Sequence, residues 1–218
     1  MAKLLVRFVC SECGAASPRW LGRCPGCGTF GTLVEELESA EEPVRALARQ
    51  PVALADVEAM AAERISTGID ELDRVLGGGL VPASLVLVGG EPGVGKSTLL
   101  LSALGAIARA GRRVLLVTGE ESPAQVALRA RRLGGVDEVP ILAETELEAV
   151  CATLEAERPE VCVVDSVQTL HAAGLGSAPG SVAQVREAAG RLLRAAKELG
   201  IATIVVGHVT KDGAVAGP

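Results

Sequence analysis

Nine consecutive residues, Gly90, Glu91, Pro92, Gly93, Val94, Gly95, Lys96, Ser97 and Thr98, combine backbone freedom, a cation and two hydroxyls. Glycines at 90, 93 and 95 let the chain curl so that its N–H groups turn inward toward phosphate oxygens. Lys96 supplies a charge at the β and γ phosphates, and the Ser97 hydroxyl is a ligand for Mg²⁺. An apolar β-type run, Leu85–Val88, enters the segment and a leucine-rich helical stretch leaves it. The helix then aims its positive end at the anion. The pattern is that of a P-loop and predicts binding of a nucleoside triphosphate.

Three more positions have matching chemistry. Val161-Cys-Val-Val-Asp165 ends an apolar strand in an acid about 70 residues after the P-loop, the placement of a carboxylate that orients Mg²⁺ through its waters. Val117-Thr-Gly is followed by Glu120 and Glu121. Two acids beside a γ-phosphate would repel it unless one polarises the attacking water; the competing reading is that both favour the adjoining helix N-terminus. His208 follows the last apolar strand, as a γ-phosphate sensor or as a structural histidine.

Cys10, Cys13, Cys24 and Cys27 form two CxxC pairs, with Gly14 and Gly28 directly after each pair. Each turn delivers two thiolates, so the set predicts a tetrahedral Zn²⁺, with iron in a rubredoxin-like site as the alternative. The glycines allow the positive φ that such knuckles need. With no open ligand position the metal is structural. Trp20 either covers the metal turns or contacts a nucleic acid or protein. Cys151 and Cys162 sit in apolar settings and read as core residues.

The elements that must position these groups alternate regularly. Strands are expected at 85–88, 114–117, 139–142, 161–164 and 201–206, with helices to about 110 and over 123–133, 146–157 and 182–199. Ser122–Gln125, Thr145–Glu148 and Ser181–Gln184 read as capping boxes. Such alternation predicts right-handed βαβ crossovers, a mostly parallel sheet and ligands at the strands' carboxyl ends. The expected organisation is an α/β P-loop core over 64–218, an acidic linker over 33–63 and a cysteine module over 1–32. Aromatic residues are 1 % of the chain, so Leu, Val and Ala fill the core, as is usual for strands buried on both faces.

The net charge of −6 argues against a protein that is basic throughout and wraps nucleic acid. The distribution is uneven, since the first 32 residues are basic and the following 31 acidic. No stretch has the 18 or so apolar residues that a membrane span needs, and no signal peptide opens the chain. A cytoplasmic location is expected.

Taken in order, these pieces resemble one family. The cysteine motif with Arg19-Trp20-Leu-Gly-Arg-Cys, the run Ser66-Thr-Gly-Ile-Asp-Glu-Leu-Asp73 to Gly79, the P-loop, Gly-Glu-Glu-Ser and Val-Val-Asp-Ser-Val-Gln-Thr are similar to bacterial RadA (Sms) proteins. These are DNA-repair ATPases with a RecA-like core. The resemblance implies a hexameric ring that uses ATP and Mg²⁺, binds single-stranded and branched DNA, and extends branches in homologous recombination with the RecA recombinase as partner. It also implies that Glu120 is the water-activating acid with Glu121 beside it, that His208 senses the γ-phosphate, and that the loop 171–180 is a mobile DNA-contacting loop. That loop contains no Lys or Arg. Two departures stand out. Phe30-Gly31 replaces the family's aromatic–Asn pair, and the family's later strands, its Lys-Asn-Arg-Phe-Gly motif and its Lon-protease-like domain have no counterpart before Pro218, as expected of an N-terminal fragment. The alternatives are a RecA-like signalling or clock-type ATPase, and a nucleotide-switched adaptor that docks through the metal module.

Overall fold

The computed structural model describes residues 5–38 and 63–208. Five strands form one wholly parallel sheet: β4 (Leu85–Gly90), β5 (Val114–Thr118), β6 (Ile141–Ala143), β7 (Val161–Asp165) and β8 (Ala202–His208), in the spatial order β4-β8-β7-β5-β6. The helices between them are α2 (Lys96–Arg109), α3 (Pro123–Leu133), α4 (Leu147–Glu157) and α5 (Val182–Leu199).

Burial on both faces explains the composition of the strands. Leu116, Val163 and Ile204 face one core with Leu100, Leu101, Leu104 and Ile107 of α2. Their chain neighbours Leu115, Cys162 and Val205 face the other core with Leu147, Val150 and Leu154 of α4 and Leu192 of α5. Successive side chains along a strand point to opposite faces, so these strands have no polar side. Each such Leu, Val or Ile contributes about 1.5–3 kcal/mol. β4 lies at the sheet edge and is less covered; its Leu87 is half exposed.

A short segment braces the entry to the core. Ile65 pairs with Leu80, and α1 (Asp70–Val75) places the Asp73 carboxylate against the Ser66 hydroxyl (2.6 Å), the Thr67 N–H (2.8 Å) and the Thr67 hydroxyl (2.7 Å). Burial would raise the Asp73 pKa, but these donors outweigh it and hold the carboxyl below its usual range.

The cysteine module is a small antiparallel sheet in the order β2 (Ala16–Ser17), β1 (Leu5–Cys10), β3 (Leu33–Glu38). β3 occupies the first six positions of the expected linker, because Leu33 packs into the cysteine cluster and the strand pairs with β1 along its length. The rest of that linker, 39–62, lies outside the described residues.

The capping expectations divide. Ser122 and Gln125 form a complete capping box on α3. Thr145 does not cap α4, whose N-cap is Glu146; the Glu144 carboxylate takes the N–H groups of Thr145 (2.7 Å) and Glu146 (2.8 Å) instead. Ser181 caps α5, but its Gln184 turns away into the core.

Candidate nucleotide site and zinc centre

Sheet order brings the separate motifs together. β4 ends in the P-loop, β8 in His208, β7 in Asp165 and β5 in Thr118, just before Glu120. These are four adjacent strands, all ending on the same side. Gly90 pairs directly with His208, and Thr118 with Asp165. The Gly119 N–H donates to the Asp165 carbonyl (3.0 Å), which fixes where the chain turns to present Glu120.

Within the P-loop, Gly93 and Gly95 have φ of +80° and +100°, which side-chain-bearing residues rarely adopt. Gly90 is extended and serves differently, since a Cβ there would stand 3.4 Å from the Lys96 side chain. α2 begins at Lys96 with no acid in its first turn, leaving its positive end open to an anion. Lys96 is buried, and its Nζ donates to the carbonyls of Gly90 and Glu91, both at 2.8 Å. Ser97 and Thr98 follow it in the first turn, where the loop meets the helix.

Glu120 carries the most organised chemistry. Its Oε1 accepts from the Ser166 hydroxyl and from His208 Nε2, the latter at 2.7 Å. Both donors converge on one oxygen, leaving Oε2 available to accept a proton. Partial burial would raise the Glu120 pKa, but Ser166, His208 and the nearby Lys96 charge together hold it below the usual carboxylate value. A carboxylate so held is ionised at neutral pH and suited to orient and deprotonate water. Asp165 is buried at the end of β7 beside this group.

Glu121 is placed elsewhere. Its carboxylate forms a two-point ion pair with Arg129 of α3, with contacts of 2.5 and 3.1 Å. Of the two acids, only Glu120 is brought to Ser166 and His208. A cavity of about 590 Å³, lined by Arg112, Arg113, Ile141 and Pro159 among others, lies at the opposite end of the sheet, away from the P-loop.

The four cysteine sulfurs lie within 4.8 Å of one another, with Cys10–Cys27 at 3.7 Å and Cys13–Cys24 at 3.5 Å. Tetrahedral Zn–S bonds of about 2.3 Å imply sulfur–sulfur edges of about 3.8 Å, so the cage fits the ion. Gly14 and Gly28 have φ of +71° and +78° and close the two knuckles by donating to the carbonyls of Cys10 and Cys24. Burial opposes ionisation of Cys10, but the Thr32 hydroxyl and local backbone groups bring its thiol down to about 6. Cys13 goes the other way: the Ala15 backbone lowers it, but burial and the neighbouring sulfurs push it to about 12. Protons that leave so unequally are displaced together when a dication binds.

Comparison with known families decides the class. A model described as "AAA domain" matches residues 48–214, and one described as "Rubredoxin metal binding domain" matches residues 8–35. The chain belongs to the AAA domain family. It is also RadA-like along its whole length: it is 48 % identical to the DNA repair protein RadA of Escherichia coli, 46 % to that of Brucella abortus and 43 % to that of Bacillus subtilis. Each alignment covers all of this chain and half of the relative, so the chain spans about half the length of the curated relatives it matches. This AAA chain thus pairs an ATPase domain that takes ATP and Mg²⁺ with a zinc-type ribbon in which Cys10, Cys13, Cys24 and Cys27 could hold the metal. Among its described residues, no helix is long and apolar enough to cross a membrane.

Two residues escaped the sequence reading. In the sequence Ser166 is only the residue after the Asp165 acid; nothing in a linear pattern tells that it reaches Glu120 in the turn after the neighbouring strand. Gln184 has the type and spacing of half a capping box. It is buried instead, and its amide binds the loop 171–180: Oε1 accepts from the Ala172 N–H (2.7 Å), while Nε2 donates to the Ser177 (3.0 Å) and Leu175 (3.3 Å) carbonyls. The loop expected to be mobile is therefore tied to α5. Trp20 is 60 % exposed, so most of its ring faces solvent. Gly31, in place of the family's Asn, has φ of +70°, a left-handed conformation that both residues tolerate.

Proposed function

We propose that the protein is an ATP-hydrolysing DNA-repair motor. In this reading it binds single-stranded and branched DNA and uses hydrolysis to drive branch migration in homologous recombination. It works in the cytoplasm with a RecA-type recombinase and as a homo-oligomer, a hexamer by its likeness to RadA. The observation that carries the enzymatic part is the convergence of Ser166 and His208 on one oxygen of Glu120 at the strand ends beside the P-loop.

Each residue has a task. The loop N–H groups, the α2 N-terminus and Lys96 hold the triphosphate, Lys96 exchanging its two carbonyl partners for phosphate oxygens. Ser97, and Asp165 through waters, would hold Mg²⁺, which would supply positive charge against the phosphates. Glu120 Oε2 takes the proton from the water that attacks the γ-phosphorus, while Ser166 and His208 keep Oε1 in place. His208 is adjacent both to the base and to Gly90, so a γ-phosphate can alter its bond to Glu120; this is the basis of its sensor role. Glu121 holds α3 through Arg129 and is not the base.

The zinc ribbon favours the DNA motor over a timer-type ATPase, which has little use for a metal knuckle. Measuring ATP turnover with and without single-stranded DNA separates the readings. Stimulation by DNA is expected; hydrolysis indifferent to DNA would contradict the motor, and no hydrolysis at all would leave only a nucleotide-switched adaptor.

A further inference from the structure

Aromatic residues are almost absent from this chain, and their placement is informative. It has one Trp, two Phe and no Tyr. All three, Phe8, Trp20 and Phe30, belong to the zinc ribbon, while the clusters of the ATPase core contain no aromatic side chain. Two of the three are turned outward, Trp20 at 60 % and Phe30 at 75 % exposure. A chain with so few aromatic residues forgoes their large burial energy by leaving these two in water.

Both rings lie against one short turn. The backbone of Arg23 is bridged to Phe30, and the Gly31 N–H donates to the Gly22 carbonyl (3.0 Å). Arg23 Nε donates to the Gly28 carbonyl (2.7 Å), which fixes the guanidinium 5.5 Å from the centre of the Phe30 ring. On the other flank, the Trp20 ring reaches within 3.8 Å of where a Cβ on Gly22 would stand. Indole, guanidinium and phenyl thus surround one short turn, and Arg19 is exposed beside them. From Gly14 to Val34 the chain contains no acid, although the protein as a whole has net charge −6. A polyanion is repelled by most of such a surface and admitted here.

We propose that Trp20, Arg23 and Phe30 form a stacking platform for single-stranded nucleic acid, with Arg19 and Arg23 pairing with its phosphates. The inference rests on the DNA-binding reading above and supplies residues for it. Exposed rings beside an arginine suit unpaired bases, because every base has a π-face and stacking tolerates any sequence. A duplex hides those faces and is bound more weakly by the same patch.

Trp20 is the only Trp, so the protein's indole emission reports on the platform alone. The zinc-loaded protein is titrated with a dye-labelled oligo(dT) strand and with a duplex of equal length, following Trp20 emission and dye anisotropy together. Quenching that tracks the anisotropy rise with the single strand is expected, and Phe30→Ala weakens binding about tenfold at unchanged zinc content. Trp20→Phe keeps a ring and loses less affinity than Trp20→Ala. A rise in anisotropy with unchanged Trp20 emission, and with unchanged affinity in Phe30→Ala, would overturn the platform while leaving DNA binding intact; the patch would then be a protein surface. Absence of any anisotropy rise would overturn the DNA-binding reading itself.

Discussion

His208 Nε2 stands 2.7 Å from Glu120 Oε1, joining the end of β8 to the turn after β5. The Ser166 hydroxyl donates to the same oxygen. The proposed base is thus oriented, and its pKa lowered, by residues at the ends of two other strands.

Removing one donor therefore moves a pH profile. Ser166→Ala lets the Glu120 pKa rise toward the ordinary carboxylate value. The carboxylate's contribution is present above its pKa and lost as pH falls, so the acid limb of ATP turnover moves upward in the variant. Turnover near neutral pH falls about tenfold, the scale of one lost charge-assisted hydrogen bond. An acid limb that stays in place would show that Ser166 does not hold the base.

Asp165→Asn is expected to act on the metal rather than on the water. Nucleotide affinity falls in the presence of Mg²⁺ and is unchanged in EDTA, as isothermal titration would show. Equal losses in both conditions would assign Asp165 to folding at the end of β7.

The zinc ribbon and the ATPase core have separate hydrophobic clusters. Cys10→Ser or Cys27→Ser should release the metal and unfold the ribbon, because binding energy of roughly 10–16 kcal/mol is folding energy in such modules. Thermal unfolding of the core should be little changed. Elemental analysis finding no zinc in the unmodified protein would refute this.

Gln184→Leu removes four hydrogen bonds to Ala172, Leu175 and Ser177 in the loop 171–180. A loss of about 2–4 kcal/mol in denaturant unfolding is expected. Faster hydrogen exchange at Ala172 would localise the effect.

Much of this was legible in the sequence because the signals were local. Strand–loop–helix order identified the P-loop, strand ends marked Asp165 and Glu120, and paired spacing marked the cysteines with their glycines. What stayed hidden depended on contacts between elements distant along the chain. Glu120 and Glu121 are alike in sequence, and only α3, carrying Arg129, separates their roles. Thr145 fits a capping box by type, yet Glu144 takes the amides first. Gln184 fits another, yet the unpaired groups of a neighbouring loop claim its side chain.

The central claim is that Glu120 activates water. The most direct measurement is single-turnover ATP hydrolysis by Glu120→Gln beside Glu121→Gln, with ATP·Mg²⁺ affinity measured on the same samples. Glu120→Gln should bind nucleotide normally and hydrolyse about 10²–10⁴-fold more slowly, since the amide matches the carboxylate in size but cannot take the proton. Glu121→Gln should retain most activity. Normal hydrolysis by Glu120→Gln with loss in Glu121→Gln would contradict the account.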